Sequence, residues 1–280
     1  NINITVSPNF DFSEVQIREN NKSVDYKIEN NEIVISTKAD TPRKYSYSIN
    51  IDGAVTHCNI LVLPCLYELA KNRCHFIAEN QQYNNPKSKL DGAYLIYDNE
   101  EKHIYYNREY DFNGGRERVG MGVLIAKYLQ NHDDEVLLNS LKKYIKYVQK
   151  NLVCIETGEV FNDCNYDNSF TRLYNYPWFS LFYIELYKLL RDKNMLEIAY
   201  KIMLFFYNQG GEHFYAIEVP IVKLVECLRE SGMTDMADNM IAWFKKHADY
   251  IAETALDYPA HEVNYEQSIV APATNILLQT

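Results

Sequence analysis

The sequence lacks any apolar run that approaches the roughly 20 residues needed to span a bilayer, which excludes a transmembrane helix. It also lacks an excess of positive charge. Twenty-eight Lys and Arg stand against 38 Asp and Glu, a net charge of -10 with a pI near 5.2. An acidic protein has no general attraction for nucleic acid or an anionic membrane, so neither is expected as a partner. No two of the six cysteines have C-x-x-C spacing, which removes zinc ribbons and thioredoxin-type chemistry. Six cysteines in 280 residues do not make a disulfide scaffold. Buried free thiols are the expectation, and Cys154 and Cys164, which flank one loop, are the one pair placed to bridge.

Several catalytic signatures are missing as well. The P-loop Lys-Ser/Thr is absent, and no dinucleotide fingerprint is complete. His261 and Glu262 lack the second His of a zinc-protease helix, and there is no Gly-x-Ser-x-Gly elbow. Neither a cofactor nor a metal is therefore expected. The first residues, Asn1 to Val6, carry no basic region or hydrophobic signal core.

What is present is an ordinary globular composition, 47% hydrophobic and 24% charged. Its length suggests one or two domains. Aromatic residues make up 14%, with 24 Tyr. A ring with an apolar face and a polar tip serves equally in helix packing and in a sugar-binding cleft.

Residues 1–63 read as a small β-sandwich-like module. Tyr45, Tyr47, Ile49 and Ile51 alternate with Ser46, Ser48 and Asn50, the period of a half-buried strand. Asn30-Asn31 separates Tyr26 and Ile28 from Ile33-Val34-Ile35, a hairpin pattern. Val15 to Ile17 and Asn59 to Leu63 supply further strands, and Asp52-Gly53 marks another turn. After Pro64 the pattern becomes helical, and residues 64–280 read as a domain of helical hairpins. Arg118–Gln130 is apolar nearly all round and is expected inside. Glu135–Lys150 is amphipathic and is expected outside. The alternation repeats, with inner helices beginning near residues 117, 178, 217 and 266. The fold class is thus mainly α with a β-rich N-terminal module, its antiparallel hairpins forming an incomplete (α/α) toroid.

In such a stack every loop leading into an inner helix lies at one end. Those loops span 111–116, 162–176, 209–215 and 257–265, and they are rich in Asn, His, Tyr, Arg and carboxylates. The opposite loops, near 131–133, 191–193 and 231–233, are short and plain. Long loops on a rigid scaffold are where function concentrates. Asn113, Arg116 and Arg118 are candidates for binding substrate, the arginines because a guanidinium takes a carboxylate bidentately. Gly114 and Gly115 allow unusual backbone geometry and close approach to a ligand. Asn175, Tyr176, Trp178 and Glu266 join the binding group. His213 and Tyr215 suit a proton-transfer pair, and Glu117 and Tyr265 complete the catalytic candidates. Each also has a plain reading as a turn, cap or core residue.

A β module followed by helical hairpins with such loops resembles the polysaccharide lyases and six-hairpin glycosidases. In the lyases a Tyr or His abstracts the proton beside a uronate carboxylate, while Asn, His or Arg neutralises that carboxylate. The resemblance implies an oligo- or polysaccharide substrate, β-elimination ahead of hydrolysis, and a secreted, periplasmic or cell-surface location. The glycosidase alternative needs two carboxylates, from Glu117, Glu212, Glu262 and Glu266. A helical-repeat protein that holds a glycan or protein without turnover is a third reading. Ile276-Leu277-Leu278 ends an apolar helix without an outer partner, so further hairpins or a further domain are expected beyond residue 280.

Overall fold

A computed structural model describes residues 2–8, 13–30, 32–37, 41–105, 113–167, 172–214 and 219–254. The chain divides into two compact units, Asn1–Leu69 and Ala70–Thr280.

Among the described residues the first unit contains seven strands: β1 (Ile2–Val6), β2 (Val15–Glu19), β3 (Lys22–Ser23), β4 (Lys27–Glu29), β5 (Glu32–Thr37), β6 (Arg43–Ile51) and β7 (Ala54–Val62). They form two antiparallel sheets, ordered β1-β5-β4 and β3-β2-β6-β7. Alternation along β6 turns Tyr45, Tyr47, Ile49 and Ile51 inward. There they meet Ile17 of β2 and Ile33 and Ile35 of the other sheet in one apolar cluster. The β6–β7 turn has Ile51 paired with Ala54 and only Asp52 and Gly53 between, both at positive φ (48° and 89°). That is the two-residue hairpin geometry that Asp-Gly accommodates. The Asp52 carboxylate accepts from the Ser13 amide at 2.9 Å and the Glu14 amide at 2.6 Å. These backbone bonds hold its pKa below the ordinary value.

The second unit is helical. Helix α1 (Leu66–Phe76) spans the division and runs into a π-helical turn, Ile77–Gln81. The short strands β8 (Tyr97–Asp98) and β9 (His103–Ile104) follow. Three hairpins come next: α2 (Val119–Leu129) with α3 (Glu135–Asn151), α4 (Asn175–Leu190) with α5 (Lys193–Asn208), and α6 (Ile221–Glu230) with α7 (Thr234–Thr254). The expected fourth inner helix lies outside the described residues.

Burial follows the inner and outer assignment at α4 and α3, whereas α6, expected inside, buries only five of its ten residues. Helix α4 hides 11 of its 16 residues, among them Phe179, Phe182, Tyr183 and Ile184. In α3 the apolar stripe of Leu137, Leu141, Tyr144 and Val148 is buried, and the lysines face out. Gly122 lets α2 approach its neighbours. A β-carbon there would lie 2.7 Å from the Tyr144 ring and 2.8 Å from the Phe182 ring. Among the described residues no helix is long and apolar enough to cross a membrane.

No disulfide is formed among the described residues. Cys74, Cys164 and Cys227 are buried, and the Cys154 thiol donates to Glu156 at 3.3 Å rather than bridging to Cys164.

Candidate active site

The short loops knit one end of the hairpins shut. The Tyr187 and Ser231 hydroxyls share a hydrogen bond at 2.6 Å, joining the ends of α4 and α6. Lys193 at the start of α5 donates to the Ser231 carbonyl at 2.7 Å. Gln130, beyond α2, donates to the buried Glu185 carboxylate at 2.9 Å. The Asp134 and Asp192 carboxylates cap α3 and α5 by accepting from Leu137 and Asn194 amides, each at 3.0 Å. Polar groups here are consumed by structure.

The other end holds the lead-in loops. Residues Arg116–Arg118 form a single 3-10 turn before α2. The Arg116 guanidinium lies 4.4 Å from the Trp178 ring and 4.7 Å from the Tyr174 ring, and it pairs with the Glu117 carboxylate. Arg116 is only 8% exposed, whereas Trp178 is 40% exposed. The arginine is thus clamped between two rings, one of which presents a face to solvent. This arrangement differs from the expected open carboxylate binder, because Glu117 already occupies the guanidinium. Arg118 is half-buried, and its Nε has no hydrogen-bond partner among the described residues.

Asn113, a binding candidate by sequence, is a buried structural residue here. It is fully buried, accepts from the Ile96 amide at 3.0 Å and donates to the Tyr105 carbonyl at 2.6 Å. It ties the β8–β9 segment to the lead-in loop. Gly114 has no unusual φ. Its lack of a β-carbon makes room for the Tyr147 hydroxyl, which donates to the Gly114 carbonyl at 3.0 Å. The close approach is to a core tyrosine rather than to a ligand.

Asn175 and Tyr176, expected in a loop, open α4 instead. Pro177 falls in the first turn, where its missing N–H costs nothing because those donors have no intrahelical partner. Asn175 is fully buried and donates to the Asn162 side chain at 2.8 Å. Tyr176 is also fully buried. It stacks on Phe205 with centroids 5.5 Å apart, and burial pushes its phenol up to about 12. Both are core residues.

The third loop begins at Gly211–His213, again a 3-10 turn. The His213 side chain is 69% exposed, and its ring edge meets Tyr250 of α7 at 5.1 Å. Beneath it His247 is fully buried. Its Nε2 hydrogen-bonds the Phe214 carbonyl at 3.1 Å, and its Nδ1 has no partner among the described residues. Burial lowers the His247 pKa. The lead-in loops of α4 and α6 connect through packed rings, from Tyr176 to Phe205 and Phe206 and on to Phe214. Tyr215, Tyr265 and Glu266 lie outside the described residues.

No protein-family model matches the chain, and neither does any curated protein. A solved structure does. A polysaccharide lyase superposes on 99% of this chain with a TM-score of 0.91 and 32% sequence identity. The chain is built like that lyase. It spans 42% of the lyase's own length. A family 76 glycoside hydrolase from a bovine Bacteroides thetaiotaomicron strain aligns over 98% of this chain and 74% of its own. Its identity is 12% and its TM-score 0.46.

One cation outside the lead-in loops carries no signal in the sequence. Arg73 of α1 is exposed, lies 5.4 Å from the Phe76 ring, and has no ion pair among the described residues. Burial and, to a smaller extent, the Arg118 charge lower its pKa, with Cys74 opposing. Nothing local in the sequence marks Arg73, since it sits within a helix far from any lead-in loop. Tyr174 was also missed. It precedes α4 and faces both Arg116 and Arg172, the latter at 5.4 Å.

Proposed function

We propose that this chain belongs to a polysaccharide-degrading enzyme that cleaves uronate-containing glycans by β-elimination. The observation that carries this reading is the likeness to a polysaccharide lyase over 99% of the chain at 32% identity. The hairpins then form an arc of an (α/α) toroid, with the lead-in loops toward the glycan. Secretion, to the periplasm or cell surface, brings such an enzyme to its substrate.

The chemistry follows from the loop residues. A base removes the proton on the carbon beside the uronate carboxylate. Its electron pair becomes a carbon–carbon double bond as the neighbouring glycosidic C–O bond breaks, and the departing oxygen takes up a proton. Charge develops on the carboxylate as the proton leaves, so nearby fixed cations lower the barrier. Arg118 suits that task, being an arginine of the α2 lead-in turn without a carboxylate partner among the described residues. His213 suits the base because its side chain is open to a ligand and imidazole accepts a proton near neutral pH. Tyr215 and Tyr265 remain candidates for returning the proton. The exposed face of Trp178, held by Arg116, offers a sugar platform. Glu117 is committed to Arg116, and elimination, unlike glycoside hydrolysis, needs no second carboxylate.

A panel of polyuronates and neutral polysaccharides tests the reading. Growth of the ultraviolet absorbance of an unsaturated uronate, with polyuronates alone, supports it. New reducing ends without that absorbance would replace it with hydrolysis, and binding without either product would replace it with a non-catalytic glycan-binding role.

A further inference from the structure

Beside the lead-in end lies a cavity of about 420 Å³ between α3 and the loop 84–92. Four lysines line it, Lys89, Lys143, Lys146 and Lys150, against one carboxylate, Asp91. That local balance opposes the net charge of -10 carried by the whole chain. Lys143, Lys146 and Lys150 recur at helical spacing along one face of α3. From Lys143 to Lys150 the helix rises about 10 Å, longer than a single carboxylate or sulfate and suited to successive anionic groups on a strand.

The neutral polar groups of the cavity are already committed. The Asn84 side chain accepts from Lys143 at 2.8 Å and donates to the Gln82 carbonyl at 3.2 Å. The Ser88 hydroxyl accepts from the Leu90 amide at 3.1 Å. Asn151 accepts from the Asn165 amide at 3.2 Å and donates to the Tyr147 carbonyl at 3.1 Å. Lys146 and Lys150, by contrast, are exposed and carry no hydrogen bond or ion pair among the described residues. What the cavity offers a ligand is therefore cationic charge. Its one aromatic, Tyr147, is buried, so no ring is open for a nucleobase to stack upon. Tyr147 also links the cavity to the candidate site, since its hydroxyl holds the Gly114 carbonyl of the α2 lead-in loop.

We infer that this cavity is a second glycan-binding site, which holds an anionic stretch of the polysaccharide away from the bond that is cleaved. The inference rests on the uronate-glycan reading above and extends it to a distinct surface. Compact ammonium charges suit this role, since they attract a moving polyanion without fixing one bidentate geometry.

The test compares the chain with Lys146→Gln/Lys150→Gln, and with Lys146→Gln alone as a milder change. Binding of a long polyuronate, a neutral glucan and a single-stranded oligonucleotide is measured by gel-shift affinity at two salt concentrations. The double variant is expected to bind the polyuronate about five- to tenfold more weakly, with a flatter salt dependence, unchanged circular dichroism and unchanged turnover of short oligouronates. Equal polyuronate affinity of variant and parent, with cleavage intact, would overturn the second site and leave the lyase reading standing. Polyuronate retained through these lysines but never cleaved would do the reverse. Tighter binding of the oligonucleotide than of the polyuronate would overturn the glycan assignment.

Discussion

Replacing Arg116 with Ala separates two roles for one side chain. In the structure the guanidinium sits 4.4 Å from Trp178 and 4.7 Å from Tyr174 and pairs with Glu117. Two largely desolvated cation–π contacts contribute about 1 to 3 kcal/mol together. The ion pair adds at most about 1 kcal/mol, because the Glu117 side chain is 36% exposed and well hydrated. Arg116→Ala should therefore destabilise the helical unit by about 1 to 4 kcal/mol. In a unit of this size that lowers Tm by roughly 2 to 16 °C. Arg116→Lys keeps the charge but loses the flat stacking surface and should fall between the two. Denaturant unfolding followed by tryptophan fluorescence reads both the stability and the release of Trp178. A variant within about 0.5 kcal/mol of the parent, the range of an inert surface change, that no longer binds acidic glycans would refute this account. The guanidinium would then serve the ligand rather than the rings.

Three further outcomes follow from the same geometry. His213→Ala should cut turnover by about 10²- to 10⁴-fold and leave the melting temperature unchanged, since that side chain is mostly exposed; parallel loss of activity and fold would mark it as structural. Gly122→Ala should cost about 1 to 3 kcal/mol by overpacking against Tyr144 and Phe182, and wild-type stability in denaturant titration would show that α2 can shift away. His247 is held neutral by burial, so its folded pKa lies below the unfolded value of about 6.5. As pH falls below that value the unfolded chain takes up the proton first, and stability drops by up to about 1.4 kcal/mol per pH unit until the folded pKa is reached. His247→Phe should remove this slope, and an unchanged pH dependence of unfolding would rule the residue out as its source.

Much of the fold was legible because burial leaves a periodic trace. The apolar residues Phe179, Leu181, Phe182, Tyr183, Ile184 and Leu186, spread around the whole helix, read directly as an inner helix, and the lysines of α3 as an outer face. The site was less legible. Asn113 beside two glycines looks like a binding residue, yet its partners are backbone atoms of Ile96 and Tyr105, which no local pattern announces. Pro177 invites the helix to begin after it, and that hid Asn175 and Tyr176 inside the first turn of α4. Arg116 and Trp178 were both visible as residue types. Their mutual clamp was not, because it depends on α2 and α4 lying side by side. The lysines of α3 read simply as a solvated face, because the loop 84–92 that lines an open cavity with them lies far away in the sequence.

The mass of the products released from a polyuronate tests the central claim most directly. The account predicts fragments whose new non-reducing end is lighter by one water than a hydrolytic product and absorbs in the ultraviolet. Fragments that have instead gained a water would contradict elimination.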